Sequence, residues 1–175
     1  MNTKDYNVKI LKGMTLDITL GTGVFEPTGT STEIAMAVHD YIDMPGKTLD
    51  LGCGSGVVGL ALAKSNKTDG TLFASDLSED AVHFLKINAK KYGIDVDARA
   101  GSVFEPWTNI KFDIIVDDIS GVAERIAAIS PWFNETACES GEDGTKLVIE
   151  AIEQAPKHLN NNGTFFFFCW FSINH

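Results

Sequence analysis

The sequence predicts an α/β fold: an open, doubly wound parallel sheet preceded by a β-hairpin. Three observations predict it. Short apolar runs at residues 48–51, 71–75, 96–100, 112–116 and 164–171 read as strands, and segments of helical periodicity separate several of them. A glycine-rich turn, Gly52-Cys53-Gly54-Ser55-Gly56, directly follows the first of these runs. Two runs of period two, at residues 8–11 and 16–20, come earlier, with Lys12-Gly13 between them.

The elements follow in order. The hairpin and a lead-in segment, Gly23-Val24-Phe25-Glu26-Pro27, occupy residues 1–27 and belong to the same domain as residues 28–175. Ser31 or Thr32 is a candidate cap for a helix whose apolar face carries Ile34, Ala35, Val38 and Ile42. Val57 opens a helix after the glycine turn. Ser78 caps another through Tyr92, with Gly93 at its C-terminal end. Residues 121–129 are expected to form a further helix. Leu147, Val148, Ala151, Ile152 and Ala155 mark the buried stripe of a late one. Asn160-Asn161-Asn162-Gly163 reads as a turn before the last strand.

Composition narrows the function. The chain has 175 residues, enough for one domain, and carries 24 acidic against 14 basic residues, a formal charge of −10. Such a surface repels phosphate backbones, which disfavours direct nucleic-acid binding and anionic lipid. No run approaches the ~20 apolar residues of a membrane span. Cys53, Cys138 and Cys169 are odd in number and irregularly spaced. They form neither a disulfide framework nor a zinc pattern, and a reducing, cytoplasmic setting fits them.

The chemistry centres on Asp50-Leu51-Gly52-Cys53-Gly54-Ser55-Gly56. Glycines there let the backbone turn tightly and approach a ligand closely. The spacing is G-x-G-x-G, without the dinucleotide fingerprint, and no Lys-Ser/Thr follows, as a phosphate-cradling loop requires. Asp50 precedes the glycines, where a carboxylate suits a cationic ligand better than a pyrophosphate. Asp76 ends the second strand, 20 residues after Gly56, at the position of an acid that holds ribose hydroxyls.

These residues resemble the class I S-adenosylmethionine-dependent methyltransferases, and the resemblance covers most of the chain. Residues 23–30 look like the lead-in of the methyltransferase small domain group. Gly141-Glu142-Asp143-Gly144 and residues 159–163 are similar to release-factor glutamine methyltransferases. The resemblance implies a Rossmann-like methyltransferase sheet and S-adenosyl-L-methionine as cofactor. It implies that Gly52, Gly54 and Gly56 lie under the methionine part, with Cys53 among the cofactor-binding residues, and that Asp50 is near its amino group. Asp76 would hold the ribose, with Leu77 against the adenine. Ser102 and Val103 would flank the adenine, with Ser102 standing where relatives often carry Asp. Phe25 and Thr28 are candidates for the rim of the site.

One segment departs from the family. Where the glutamine and adenine N-methyltransferases carry Asn-Pro-Pro-Tyr/Phe, this chain has Asp117-Asp118-Ile119-Ser120. The departure puts a planar-nitrogen substrate in doubt. Asp117 is the candidate catalytic group, orienting an amine or hydroxyl and accepting its proton. Asp118 reads as a solvated acid or a helix cap. Adjacent strand residues diverge and no third ligand is visible, so no metal site is expected. Trp107, Trp132 and Phe133 read as packing or pocket wall, and no histidine as catalytic.

The expected function is methyl transfer to a protein side chain or small molecule. The alternatives are an RNA N-methyltransferase that needs a partner, or a cofactor-binding module without catalysis. The family's sheet usually continues beyond the fifth strand. Here Phe165-Phe166-Phe167-Phe168-Cys169-Trp170-Phe171 would lie near an edge, an association hazard. A shortened chain is the expectation, with a homodimer covering this strand as the alternative.

Overall fold

The computed structural model describes residues 3–119, 121–130 and 140–167. The N-terminal hairpin pairs β1 (Thr3–Leu11) with β2 (Met14–Gly21), antiparallel from Thr3↔Gly21 to Leu11↔Met14. Alternation does the work expected of it: Leu16, Ile18 and Leu20 are buried, and Asp17 between them is exposed.

Five parallel strands follow: β3 (Thr48–Leu51), β4 (Leu72–Asp76), β5 (Val96–Ala100), β6 (Phe112–Asp117) and β7 (Leu159–Phe167). Their order is β5-β4-β3-β6-β7. The chain steps outward from β3 to β5 and then returns to lay β6 on the other side of β3. That reversal leaves a crevice beyond the carboxyl ends of β3 and β6, where open α/β sheets take their ligands.

The helices are α1 (Gly29–Tyr41), α2 (Val57–Lys64), α3 (Glu79–Tyr92), α4 (Glu124–Ala127) and α5 (Lys146–His158). Two apolar clusters cover the two faces of the sheet. One joins Ile114 and Val116 to α1, α2, α3 and the hairpin; the other joins Leu49, Leu51 and Ile115 to α5 and to Trp107. Alternate residues of one strand thus feed different cores. No described helix is long and apolar enough to cross a membrane.

Several local expectations meet their geometry. The Ser78 hydroxyl accepts the Ala81 N–H at 3.2 Å, and Gly93 closes α3 with φ +64°. Others are corrected. Thr28, not Ser31 or Thr32, precedes α1, and Ser31 is buried within its first turn. The helix expected over 121–129 is the single turn of α4. Ile152 is 42% exposed, so the buried stripe of α5 is Leu147, Ala151 and Ala155. The asparagine run is no separate turn: it lies inside β7. The step from Phe112 to Ile114 on β6 faces the longer step from Leu159 to Thr164, and Asn162 takes φ +66°. Asparagine tolerates that left-handed conformation, so the extra residues bulge without ending the strand. Ser120, Trp132, Phe133, Cys138 and Cys169, and the strand beyond Phe167, lie outside the described residues.

Candidate functional site

The glycine loop leaves β3 through three left-handed residues: Gly52 (φ +67°), Gly54 (φ +49°) and Gly56 (φ +85°). Their duties differ. A Cβ at Gly52 would stand 2.8 Å from the Ile119 side chain, and one at Gly56 would stand 1.9 Å from Leu85. Those two glycines admit protein neighbours. A Cβ at Gly54 would meet no atom within 4 Å, so its left-handed turn faces open space. The loop is anchored by the Cys53 N–H on the Ser75 carbonyl at 3.0 Å. The Cys53 thiol is buried, which pushes its pKa well up and leaves it neutral.

Around this loop stand four carboxylates from three strand ends. Asp50 is 1% exposed; its Oδ2 accepts the Gly59 N–H at 2.9 Å, and its Oδ1 is buried without a partner. Asp76 accepts the Gly54 N–H on Oδ2 at 2.8 Å and the Ser78 N–H on Oδ1 at 2.9 Å. Asp117 accepts the Ile119 N–H on Oδ1 at 2.9 Å, and its buried Oδ2 is also unpartnered. Asp118 accepts the Ser31 hydroxyl proton on Oδ2 at 2.7 Å. Among the described residues, no Lys, Arg or His lies within 4 Å of any of the four.

Burial without a counter-charge raises all four pKa values. Asp50 is pushed up to about 8, chiefly by desolvation, against the bond from Gly59, with the charges of Asp118, Asp76 and Asp117 adding to the rise. Desolvation also lifts Asp117 to about 7 and Asp118 to about 6, and it moves Asp76 upward. Among the described residues, the cluster therefore has acceptor capacity to spare and no paired cation.

Two members escaped sequence reasoning. Asp118, read as solvated or capping, is largely buried and tied to α1 through Ser31. Adjacent strand residues do diverge, but the divergence turns Asp118 toward α1 rather than toward water. Gly59 holds Asp50, and a Cβ there would stand 2.7 Å from Asp50 Oδ2 and 2.9 Å from Leu72. A glycine inside a helix costs about 1 kcal/mol against alanine, and that anomaly was the available signal.

The other expected residues lie on the neighbouring loops. Leu77, after β4, is partly buried against the α5-side core. Ser102 is half-buried, and its N–H donates to Glu105 Oε2 at 3.3 Å. Val103 is buried with φ +44°, and its carbonyl accepts the Ser75 hydroxyl. Trp107 is fully buried and donates its indole N–H to that same hydroxyl at 3.0 Å, in keeping with a packing role. Phe25 is half-buried, and Thr28 bonds Thr30 through their hydroxyls. His158 stacks on Phe104, with ring centroids 4.4 Å apart. Two hollows lie apart from the glycine loop. One, of about 550 Å³, is bordered by Lys111, Lys157 and His158; the other, of about 390 Å³, lies between Ile34 of α1 and Phe166 of β7.

Comparison with known proteins gives these features a context. The release factor glutamine methyltransferase of Streptococcus pneumoniae is 31% identical over 139 residues, covering 77% of this chain and 49% of that protein. That of Thermodesulfovibrio yellowstonii is 31% identical over 174 residues, covering 92% of this chain and 58% of the relative. The chain thus spans about half the length of the curated relatives it matches. Among solved structures, a 16S rRNA N2 methyltransferase from T. thermophilus, in complex with AdoMet and guanosine, superposes with a TM-score of 0.70 at 20% identity. That match covers 94% of this chain and 41% of the other. At that identity it speaks for the fold alone. The model of the methyltransferase small domain matches residues 30–118, from α1 through the acid pair at the end of β6, and by that match the chain belongs to the methyltransferase small domain family.

Proposed function

We propose that this chain transfers a methyl group from S-adenosyl-L-methionine to a protein side chain or a small molecule. The observation that carries the reading is the pair of buried, unpartnered carboxylate oxygens, Asp50 Oδ1 and Asp117 Oδ2, with no ion pair to either among the described residues. The cofactor has the complementary chemistry: an ammonium, a sulfonium, a ribose diol and a flat adenine. Asp50 Oδ1 accepts the ammonium proton in a charge-assisted bond. Asp76 has lone pairs beyond the two its backbone bonds use, and these accept from the ribose hydroxyls. The space above Gly54 admits the methionine part. Leu77, Ser102 and Val103 border the adenine.

The bound cofactor supplies an electrophilic methyl group on sulfur. The protein's part is to place an acceptor in line and take its proton. Asp117 orients the acceptor N–H or O–H and receives that proton, a role favoured by a pKa of about 7. The curated relatives are named for glutamine methylation, and glutamine is one of the protein acceptors this reading includes. A net charge of −10 favours a basic protein face over bare RNA, and the reading places the work in the cytoplasm.

Titration calorimetry with S-adenosylmethionine and S-adenosylhomocysteine tests the cofactor half. Binding with a rise in melting temperature is expected. Binding of neither compound refutes the reading. Transfer of labelled methyl groups to fractionated protein tests the other half. Label appearing only in RNA would favour the RNA alternative, and binding without any transfer would favour a non-catalytic module.

A further inference from the structure

Asn88 lies in the second half of α3 and is fully buried. A buried amide with open valences costs stability, so its partners are informative. Its Oδ1 accepts the Thr19 N–H at 2.8 Å, and its Nδ2 donates to the Thr19 carbonyl at 3.0 Å. The side chain thereby pairs with Thr19 as a neighbouring strand would. Nδ2 also donates to the Ser55 carbonyl at 3.1 Å, inside the glycine loop.

The surrounding contacts share this geometry. The Asp17 N–H donates to the Tyr92 hydroxyl, and Lys91 Nζ donates to the Asp17 carbonyl at 3.4 Å. A Cβ at Gly21 would stand 2.2 Å from Phe84. Positions 84, 88, 91 and 92 form one stripe of a helix, and 17, 19 and 21 form one edge at period two. α3 therefore stands in for a third strand along β2. Of the hydrogen-bonding members of this stripe, Asn88 is the one whose bond reaches on to the glycine loop.

We infer that Asn88 is a positioning residue that couples the hairpin to the glycine loop, so that seating of β2 on α3 and occupation of the cofactor cleft favour each other. The inference rests on the cofactor reading above. Fixing the Ser55 carbonyl fixes the peptide between the turns at Gly54 and Gly56. A hairpin lifted from α3 leaves Asn88 without two of its three hydrogen bonds and frees it to release Ser55. Such coupling is reciprocal: whatever grips the hairpin also changes cofactor affinity by the same factor.

Amide hydrogen exchange on the full chain, with and without saturating S-adenosylhomocysteine, tests this alongside calorimetry. The ligand is expected to slow exchange of the Thr19 amide by about threefold or more, since opening there then works against binding. The double variant Lys91→Ala, Tyr92→Phe touches the hairpin side only and is expected to weaken the ligand by about threefold or more. Asn88→Ala is expected to weaken it by about tenfold, within the usual range of coupling, and to abolish the protection of Thr19. A merely structural asparagine would lower the melting temperature and move neither the protection nor the double variant's affinity. Ligand binding with unchanged Thr19 exchange overturns the inference, as does unchanged affinity in the double variant. Should Asn88→Ala fail to fold, wild-type exchange and the double variant decide the matter. Absence of binding to the wild type is a separate result, which removes the cofactor reading and this coupling together.

Discussion

Asp50→Asn separates what the acid cluster costs from what it does. In the folded chain Asp50 titrates at about 8, and the ordinary value is 3.8. The folded state therefore binds this proton more tightly than the unfolded state. Stability from this group is fully present below about pH 4 and falls as the pH rises towards 8. By pH 7 roughly three pKa units have been crossed, and at 1.36 kcal/mol each the loss is about 4 kcal/mol. Asparagine does not ionise and escapes this loss. It retains an oxygen for the Gly59 N–H but puts an unpaired N–H group where Oδ1 was, at a cost of about 1–3 kcal/mol that is independent of pH.

The readout is thus a difference of slopes. Urea denaturation at several pH values between 4 and 7 is expected to show the variant gaining on the wild type by about 4 kcal/mol across the range. The same substitution removes the charge from the proposed ammonium contact, worth about 1.5–3 kcal/mol, so calorimetry is expected to show cofactor binding weakened about 10- to 100-fold. Parallel stability curves would refute the desolvation argument. Unchanged affinity would refute the ligand argument, whatever the curves do.

Three further outcomes are expected. Gly59→Ala would normally favour a helix by about 1 kcal/mol, but its methyl meets Asp50 and Leu72, so a net loss of about 1–3 kcal/mol in denaturation is expected, and an equal or higher stability would contradict the packing. Ser31→Ala removes the bond that favours ionised Asp118, which should raise that pKa further above its value of about 6. A stability deficit of about 1 kcal/mol at pH 8 is expected to shrink towards pH 5, and a deficit constant with pH would deny the link. Among the described residues the outer edge of β7 has no partner strand and Phe167 is 46% exposed. Phe167→Lys is expected to reduce concentration-dependent light scattering, whereas a wild type that is monomeric at every concentration would remove the expectation of a homodimer.

What could be read from the sequence was local. Strand–glycine–helix order, Ser78 as a cap and Gly93 as a stop depend on neighbours in the chain, and they reappear in the structure. The acid at position 50 was legible because it stands two residues before the first glycine on the same strand, and the acid at 76 because one helix and one strand, α2 and β4, separate it from the last. The environment of Asp118 was not legible, because Ser31 lies 87 residues away and the two meet only once the sheet has ordered. The same holds for Asn88, the polar residue among the buried positions of its helix, whose partners Thr19 and Ser55 come from elements that pattern analysis treats separately. The bulge in β7 was missed for a different reason. An Asn-Asn-Asn-Gly run signals positive φ equally well at a turn and inside a strand, and only the pairing with β6 tells them apart.

The acid cluster also explains why those non-local bonds matter. Four carboxylates around one loop, without an ion pair among the described residues, oppose the compact state. Each is nevertheless held by at least one donor: Asp50 by Gly59 on α2, Asp76 by Gly54 of the glycine loop and Ser78 after β4, Asp117 by Ile119 just after β6, and Asp118 by Ser31 on α1. Those donors fix the direction of the oxygens but leave one oxygen of Asp50 and one of Asp117 buried and unpartnered. A site built to be satisfied by its own residues would place a lysine or arginine there and gain stability. Holding the carboxylates rigid and leaving them unpaired is instead the arrangement that a cationic ligand can complete, with the orientation already set before it arrives.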